Sequence, residues 1–496
     1  MHAALALAGL AICIEILLRL PFGAALTRLV GAVDRASRLI RNPKVSDHWK
    51  ERALPACSLR MITASLALFA ILAAALLPFG LMIGVSELFW SQGAATAAFL
   101  MSVPGIALLT VAGAVYAWVR TRPARRKGVA ANDADAGADK YTGMDRFLHR
   151  LFLSSPSRGE MLFDIESASA KADPDAAAAG EHVYVCGLAR AGTTILMRAL
   201  HENGDFASLT YNDMPMVMAP NLWARLRGRA VRNTEAQERA HSDGILVDVD
   251  SPEALEEPFW RTFAEKDYIL PDRLQPHEAD AETIGRYRRF VAHILARYGR
   301  TRYLAKNNNA ILRLGSLRDA FPAATFLVPF RDPVSQAHSL KAQHEKFNAS
   351  RDGFARQYMD WLAHHEFGPG HRPFSMDGAL PRATPADINY WLSMWVDVYG
   401  HLAGEIEQAA DSPQANILPV AYEDLCSTST GVWTRLSARL GIAPGTSPFQ
   451  AAPALASTDT INADLLSSAR AIYGRLQALQ LRLLDAKPSR LIAVTA

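Results

Sequence analysis

Two stretches of this chain run without a charge for longer than a bilayer is thick, and they limit what the first quarter can fold into. Between Arg60 and Glu87 the sequence reads MITASLALFAILAAALLPFGLMIGVS, and between Glu87 and Arg120 it reads LFWSQGAATAAFLMSVPGIALLTVAGAVYAWV. As helices rising about 1.5 Å per residue, each is long enough to cross the roughly 30 Å of membrane hydrocarbon. Pro78, Gly80 and Pro104 weaken helices in water but are common in membrane spans, where neighbouring helices satisfy the freed backbone. Two buried core helices of a globular domain are the competing reading.

A third apolar run, Ala3 to Leu20, is shorter and carries Glu15 and Arg19 on one helix face. It spans, lies in the interface, or serves as an uncleaved signal anchor. No basic segment precedes it and no clear small-residue cleavage site follows, which argues against a cleaved signal peptide. Cations flank the pair of long runs: Arg28, Arg35, Arg38, Arg41, Lys44, Lys50, Arg52 and Arg60 before it, and Arg120, Arg122, Arg125, Arg126 and Lys127 after it. By the positive-inside rule the two runs form a hairpin with both flanks in the cytoplasm. The expectation is a multi-pass protein of the cell inner membrane with everything after Val119 cytoplasmic. The flanks can also bind anionic lipid head groups.

The domain plan is a membrane anchor over 1–127 with two or three transmembrane helices, a flexible linker over 128–180, and a catalytic domain over 181–496. The linker is rich in Ala, Asp, Gly and Ser, with one amphipathic patch at Met144 to Phe152 that reads as a docking helix. The whole chain of 496 residues has 52 Lys and Arg against 49 Asp and Glu, a net charge of +3. So small an excess gives no general field for gripping nucleic acid. Cys13, Cys57, Cys186 and Cys426 are far apart and form no CxxC pair, so neither a disulfide framework nor a zinc site is expected.

After the linker, strands alternate with helices. His182 to Cys186 reads as a buried strand, GLARAGTT as a tight loop, and ILMRALHE as a helix; ATFLVPF and ANILPVAYEDL repeat the strand-to-helix order. The expected fold is α/β, a P-loop-like domain with a central, mostly parallel sheet flanked by helices. Ligands of such folds bind at the strand C-termini.

Two of those strand ends carry anion-binding chemistry. In GLARAGTT, Gly187 and Gly192 allow a tight turn, the following helix N-terminus offers free N–H groups, and Thr193 and Thr194 add hydroxyls. The loop has the plan of a Walker A motif without its closing Gly-Lys-[Ser/Thr], so the phosphate-reaching lysine and the magnesium-binding hydroxyl are not where an NTPase needs them. The second site is Arg331-Asp332-Pro333, with Ser339 on the first turns of the next helix. A guanidinium fork and a hydroxyl there can converge on one phosphate.

From about Glu181 to Asn462 the chain resembles the sulfotransferase superfamily, whose members transfer a sulfuryl group from 3'-phosphoadenosine 5'-phosphosulfate (PAPS) to a hydroxyl or amine. Residues 187–194 resemble that family's 5'-phosphosulfate loop, and Arg331 and Ser339 its 3'-phosphate pair. Val420 to Leu425 resembles its Tyr-Glu-Asp-Leu segment, Tyr303 to Asn307 its strand bearing a lysine beside the transferred group, and ASTDTIN at 456–462 the late Ser-Thr-Asp segment of protein-tyrosine sulfotransferases. The membrane runs have no part in the resemblance. It implies PAPS as co-substrate with no metal, bound by Gly187, Arg190, Ala191, Gly192, Thr193, Thr194, Arg331, Ser339 and Tyr422. Arg190, Lys306 and Ser457 are the expected catalytic residues: Arg190 holds the phosphosulfate, Lys306 neutralises developing charge and Ser457 orients the sulfonate.

The acceptor hydroxyl needs a base. The stretch where tyrosine-sulfating relatives carry a Glu reads ASLTYNDMPMVMAPNLW here, so Asp213 is the first candidate. Glu256 and Glu257 come next, ahead of His201, His241 and His338. Asn307 to Asn309 read as helix capping or acceptor contacts. Trp223, Phe259, Trp260, Trp361, Trp391 and Trp395 read as core packing, or else as a sugar-binding cleft. The expected partner is the membrane together with a hydroxyl-bearing carbohydrate or lipid-linked acceptor. Two rivals stay open, a kinase-like phosphotransferase needing magnesium, and a nucleotide-binding membrane scaffold without transfer.

Overall fold

The computed structural model describes residues 2–121, 143–227 and 252–485, except 23–24, 27, 30, 34–35, 37–46, 170, 351, 412–415, 428, 430 and 452–458, together with residues 237–238 and 246–247. The chain divides into two compact units, residues 1–135 and 136–496.

The first unit contains α1 (His2–Arg19), α2 (Asp47–Trp90), α3 (Gly93–Met101) and α4 (Val103–Thr121). Within α2, Leu54–Trp90 is a continuous helix of 37 residues that runs unbroken through Pro78, and an 18-residue stretch of it has mean hydropathy 2.6. It points large apolar side chains outward, with Leu66 and Leu76 each 61% exposed and Phe69 71% exposed. A helix that is apolar on every side belongs in a protein core or in lipid, and these side chains are not in a core.

The second uncharged run departs from the expected straight span. It forms two helices, Gly93–Met101 and Val103–Gly113, bent by 71° at Ser102. Ser102 has extended backbone (φ −77°, ψ 152°), and its hydroxyl accepts from the Gly105 N–H at 3.1 Å. A Cβ at Gly105 would lie 1.9 Å from the Phe99 carbonyl oxygen, so glycine is what lets the corner close. Pro104 falls in the first turn of α4, where its missing N–H costs nothing. Among the described residues, one helix is therefore long and apolar enough to cross a membrane, or two if the bent pair counts as one span. The multi-pass hairpin of two straight spans is corrected accordingly. In α1, Glu15 pairs with Arg19 at 3.5 Å and accepts from the Tyr116 hydroxyl at 3.3 Å.

The second unit is built on five parallel strands. In chain order they are β1 (Val183–Val185), β2 (Phe206–Ala207), β5 (Arg302–Lys306), β6 (Thr325–Phe330) and β7 (Ile417–Ala421), in the spatial order β2-β5-β1-β6-β7. A separate antiparallel pair, β3 (Gln237–Glu238) and β4 (Leu246–Val247), lies outside that sheet. β1 is short and wholly buried, with Val185 opposite both Lys306 and Leu327. The central strand and β5 thus end side by side, while β6 continues three residues further, to Phe330. The chain leaves β1 toward one edge and returns to the other, the kind of switch point where open α/β sheets bind ligands.

The helices of this unit begin with α5 (Gly143–Leu153), α6 (Pro156–Ser169) and α7 (Pro174–Ala178), before β1. Leu153, Leu162 and Phe163 belong to the same core as β1. The tether expected over 128–180 is therefore largely structure from Gly143 onward, because its apolar residues have a surface to cover; 128–142 lies outside the described residues. After β1 come α8 (Thr193–His201), α9 (Pro220–Arg227), α10 (Glu257–Tyr268), α11 (Ala281–Tyr298), α12 (Leu314–Ala320), α13 (Pro333–Ala349), α14 (Gly353–Trp361), α15 (Ile388–Ala410), α16 (Tyr422–Cys426), α17 (Val432–Arg439) and α18 (Ala463–Asp485).

Aromatic packing fixes these helices. Phe259, Trp260, Trp391 and Trp395 are fully buried, and Trp260 meets Tyr287 at 4.6 Å between ring centres. Each buried ring of this size stabilises the fold by roughly 1.5–3 kcal/mol. These four are core, not a sugar cleft. The four cysteines are all free.

Candidate active site

The loop after β1 is shaped by two glycines and one arginine. Cys186 continues the pairing with β6 through its N–H to Leu327 O at 2.9 Å. At Gly187 a Cβ would come within 2.9 Å of the Pro329 carbonyl oxygen, so the loop can lie against β6 only with glycine there. Gly192 has φ +84°, and a Cβ on it would strike the Tyr422 ring at 2.3 Å. Arg190 also has positive φ, at 70°. For a side-chain-bearing residue that conformation costs about 1 kcal/mol or more and needs its surroundings to hold it.

Gln336 of α13 supplies part of that hold. Its amide donates to Ala189 O at 3.0 Å, and its oxygen accepts from the Trp395 indole at 3.0 Å. Arg190 then reaches the same helix, with its Nε donating to Ser339 Oγ at 3.0 Å. Below the loop α8 begins at Thr193, and Gly192 at the N-cap has no side chain to occupy the first N–H groups. Thr193 and Thr194 are both buried at this end. Backbone N–H groups at a helix N-terminus beside two hydroxyls and a guanidinium form an anion cradle.

Arg331 follows β6 and lies 6.0 Å over the Tyr422 ring. Asp332 starts α13 by accepting from the Ser335 N–H at 2.8 Å, and its own N–H donates to Glu423 at 2.9 Å. Tyr422 is therefore packed between Gly192 and Arg331, and its hydroxyl donates to Gln450 O at 2.9 Å. Gly187, Arg190, Ala191, Gly192, Thr193, Thr194, Arg331, Ser339 and Tyr422 all lie at one end of the sheet.

Lys306 closes β5 at that same end, directly across from Val185, and its side chain is buried. The next three residues tie it down. Asn307 donates its N–H to Val185 O at 3.1 Å, and its side-chain oxygen caps the following turn at Asn309 N, as the capping reading expected. Its amide also donates to Glu257 at 2.5 Å. Asn308 donates to Glu366 at 2.6 Å and Asn309 to Ala363 O at 3.2 Å.

The acidic residues near this lysine differ in what occupies them. Glu256 accepts from Trp260 at 3.0 Å and Tyr303 at 3.1 Å, and burial pushes its carboxyl above the ordinary range. Glu257 pairs with the fully buried Arg313 at 2.9 Å, and Arg313 in turn stacks on Trp260 and Tyr268, 4.4 Å from each ring. Glu366, on the loop after α14, was not among the expected site residues, nor was Gln336. Nothing in HHEFGPGHRPF links it to KNNN except the fold.

Asp213 is elsewhere. It forms a capping box with Thr210 and accepts from the Tyr298 hydroxyl at 2.5 Å. Tyr298 ends α11, the helix that leads into the start of β5, whereas Lys306 is at that strand's finish. Burial raises the Asp213 carboxyl pKa against the opposing pull of Tyr298, Thr210 and Arg297. The structure does not bring Asp213 to the lysine. Ser457 lies outside the described residues. Its neighbour Asp459 is held by Lys341 at 3.0 Å and by His338 at 3.5 Å, which occupies His338 structurally. Among the described residues no group of three or more His, Cys, Asp or Glu is arranged to hold a metal ion.

Comparison with known proteins gives one family. Residues 182–371 match a family model described as the sulfotransferase family. No curated protein matches. Among solved structures, sulfotransferase STF1 from Mycobacterium tuberculosis H37Rv is 16% identical with a TM-score of 0.33, covering 71% of this chain and 89% of its own. A sulfotransferase from Alicyclobacillus acidocaldarius is 14% identical with a TM-score of 0.31, covering 63% of this chain and 100% of its own.

Proposed function

The chain is a member of the sulfotransferase superfamily, and from that premise we propose that it transfers a sulfuryl group from PAPS to a hydroxyl of a membrane-held acceptor, a glycan or glycolipid. One observation supports this above the others. A cradle at the N-terminus of α8, an arginine joined to Ser339 and a buried lysine all lie at one end of the sheet. Without the Walker lysine, the cradle fits a donor stabilised by fixed cations better than it fits a nucleoside triphosphate.

In this reading the backbone from Gly187 to Gly192, with Arg190, Thr193 and Thr194, holds the 5'-phosphosulfate, and Arg331 and Ser339 hold the 3'-phosphate. Tyr422 walls the loop. The acceptor oxygen forms its bond to sulfur as the bond from sulfur to the leaving 5'-phosphate oxygen breaks. Negative charge grows on the sulfonyl and leaving oxygens. A buried ammonium at Lys306 stabilises that charge more than one in water would, because little solvent screens it and it is already in position. Ser457 orients the sulfonate in the same scheme. Asp213, bound into its cap, has no role in it.

The membrane part of the proposal draws on α2, whose apolar surface suits lipid, and on the basic residues flanking the uncharged runs. They favour a catalytic unit on the cytoplasmic side, acting on acceptors at the membrane surface. The test is to incubate full-length protein in membranes with radiosulfate-labelled PAPS and to follow label into the lipid fraction. Label should enter that fraction with wild type and not with Lys306→Ala. Transfer only to water-soluble acceptors would refute the membrane part, and equal transfer by the variant would refute the role of the lysine.

A further inference from the structure

The transfer needs a group to take the proton of the acceptor hydroxyl. In an in-line displacement the attacking oxygen lies within about 3 Å of the sulfuryl group at bond formation, so the base must work near the cation that faces that group. Three buried carboxylates bear on the residues just after Lys306. Glu256 is engaged by Trp260, Tyr303 and Asn307, and Glu257 by Asn307 and Arg313. Glu366 differs. Its Oε1 accepts from Asn308 at 2.6 Å and lies 3.5 Å from His364 Nδ1, while its buried Oε2 has no hydrogen-bond partner.

Two more buried acceptors next to it, Oδ1 of Asn308 and Oδ1 of Asn309, also lack a donor. Each such oxygen costs about 1–3 kcal/mol while it stays unpaired. The three oxygens lie on two segments that meet through the Asn308–Glu366 and Asn309–Ala363 hydrogen bonds, a cluster rich in acceptors and poor in donors. A ligand that carries hydroxyls supplies what is missing.

This inference rests on the sulfotransfer reading and adds to it: we propose that Glu366 is the general base of the reaction, its free Oε2 taking the proton of the acceptor hydroxyl. As that O–H bond breaks, the oxygen's electron pair forms the bond to sulfur, and the leaving 5'-phosphate keeps the pair from the broken sulfur–oxygen bond. Burial opposes ionisation of Glu366, but His364, the charge of Lys306 and the Asn308 amide outweigh it and keep the carboxyl below its usual range. The carboxyl is therefore held in its ionised form, with a lone pair on Oε2 to accept a proton.

The experiment compares wild type with Glu366→Gln and Glu366→Asp as full-length protein in membranes. It measures binding of 3'-phosphoadenosine 5'-phosphate (PAP) by calorimetry and total release of PAP from labelled PAPS, whether sulfate goes to an acceptor or to water. The expected result is unchanged PAP binding in all three, with release slowed roughly 100-fold or more in Glu366→Gln and less in Glu366→Asp. PAP binding intact and release within threefold of wild type in Glu366→Gln overturns the role of Glu366 and leaves the sulfotransfer reading standing. A wild type that binds no PAP, or binds it and releases none, overturns both.

Discussion

Arg190 and Ser339 are joined by a 3.0 Å hydrogen bond between Nε and Oγ. That bond connects the loop after β1 to the helix after β6, the two segments assigned to the opposite phosphates of the donor. It also helps hold Arg190 at a φ of 70°. The two residues therefore act as a unit. In a double-mutant cycle of Arg190→Ala and Ser339→Ala on PAP affinity, the combined loss should fall short of the sum by about 1 kcal/mol, roughly fivefold in affinity. Strict additivity would show that the bond carries no binding function.

Gly192 is tied to Tyr422 by shape. An alanine there meets both an unfavourable φ of +84° and a ring carbon at 2.3 Å. Gly192→Ala should weaken PAP binding at least tenfold by calorimetry. Adding Tyr422→Ala should recover only part of the loss, because the backbone strain persists. Full recovery would mean that the ring alone was the obstacle.

Asp213 is expected to matter for stability and not for donor binding. Its carboxylate accepts from Tyr298 and Thr210. Asp213→Ala leaves those donors unpaired and should cost about 1–3 kcal/mol in urea unfolding. PAP affinity of the folded variant should be unchanged, and a selective loss of affinity without a stability change would contradict this.

His182 sets a pH limit. Its Nε2 lies 2.7 Å from Ala177 O and its Nδ1 lies 2.9 Å from the Tyr303 N–H. A neutral ring with the proton on Nε2 satisfies both, and a second proton would face a donor. Burial, helped by Arg302 and opposed by the Ala177 bond, holds its pKa down to about 4. His365 and His371 are likewise held at about 4 by burial. The unfolded chain, with histidines near 6.5, binds these protons first as pH falls. Stability should therefore be full above about pH 6.5 and decline toward pH 4. The urea midpoint of the full-length protein should be lower at pH 5 than at pH 7.5, and His182→Gln should narrow the gap. Equal midpoints would contradict the assignment.

Much of this was legible in the sequence because the signals were local. Val183 to Thr194 declares strand, loop and helix within a dozen residues, and Arg331 with Ser339 sits on one strand end and the helix it feeds. What the sequence hid was long-range. Glu366 comes to Asn308 only because the loop after α14 folds over the end of β5, and no spacing rule connects them. Asp213 looked placed for catalysis by its distance from the first helix, yet its partner Tyr298 draws it toward the other end of β5. Ser102 and Gly105 break an apolar run whose hydropathy alone promised a straight helix. In each case a single side-chain contact or backbone corner overrode the pattern.

The most direct test is calorimetric titration of the full-length protein with PAP and, separately, with ATP, each with and without magnesium. Tight binding of PAP over ATP, unaffected by magnesium and lost in Arg190→Ala, is the predicted result. Preference for ATP, dependent on magnesium, would contradict the account and assign the cradle to phosphoryl transfer.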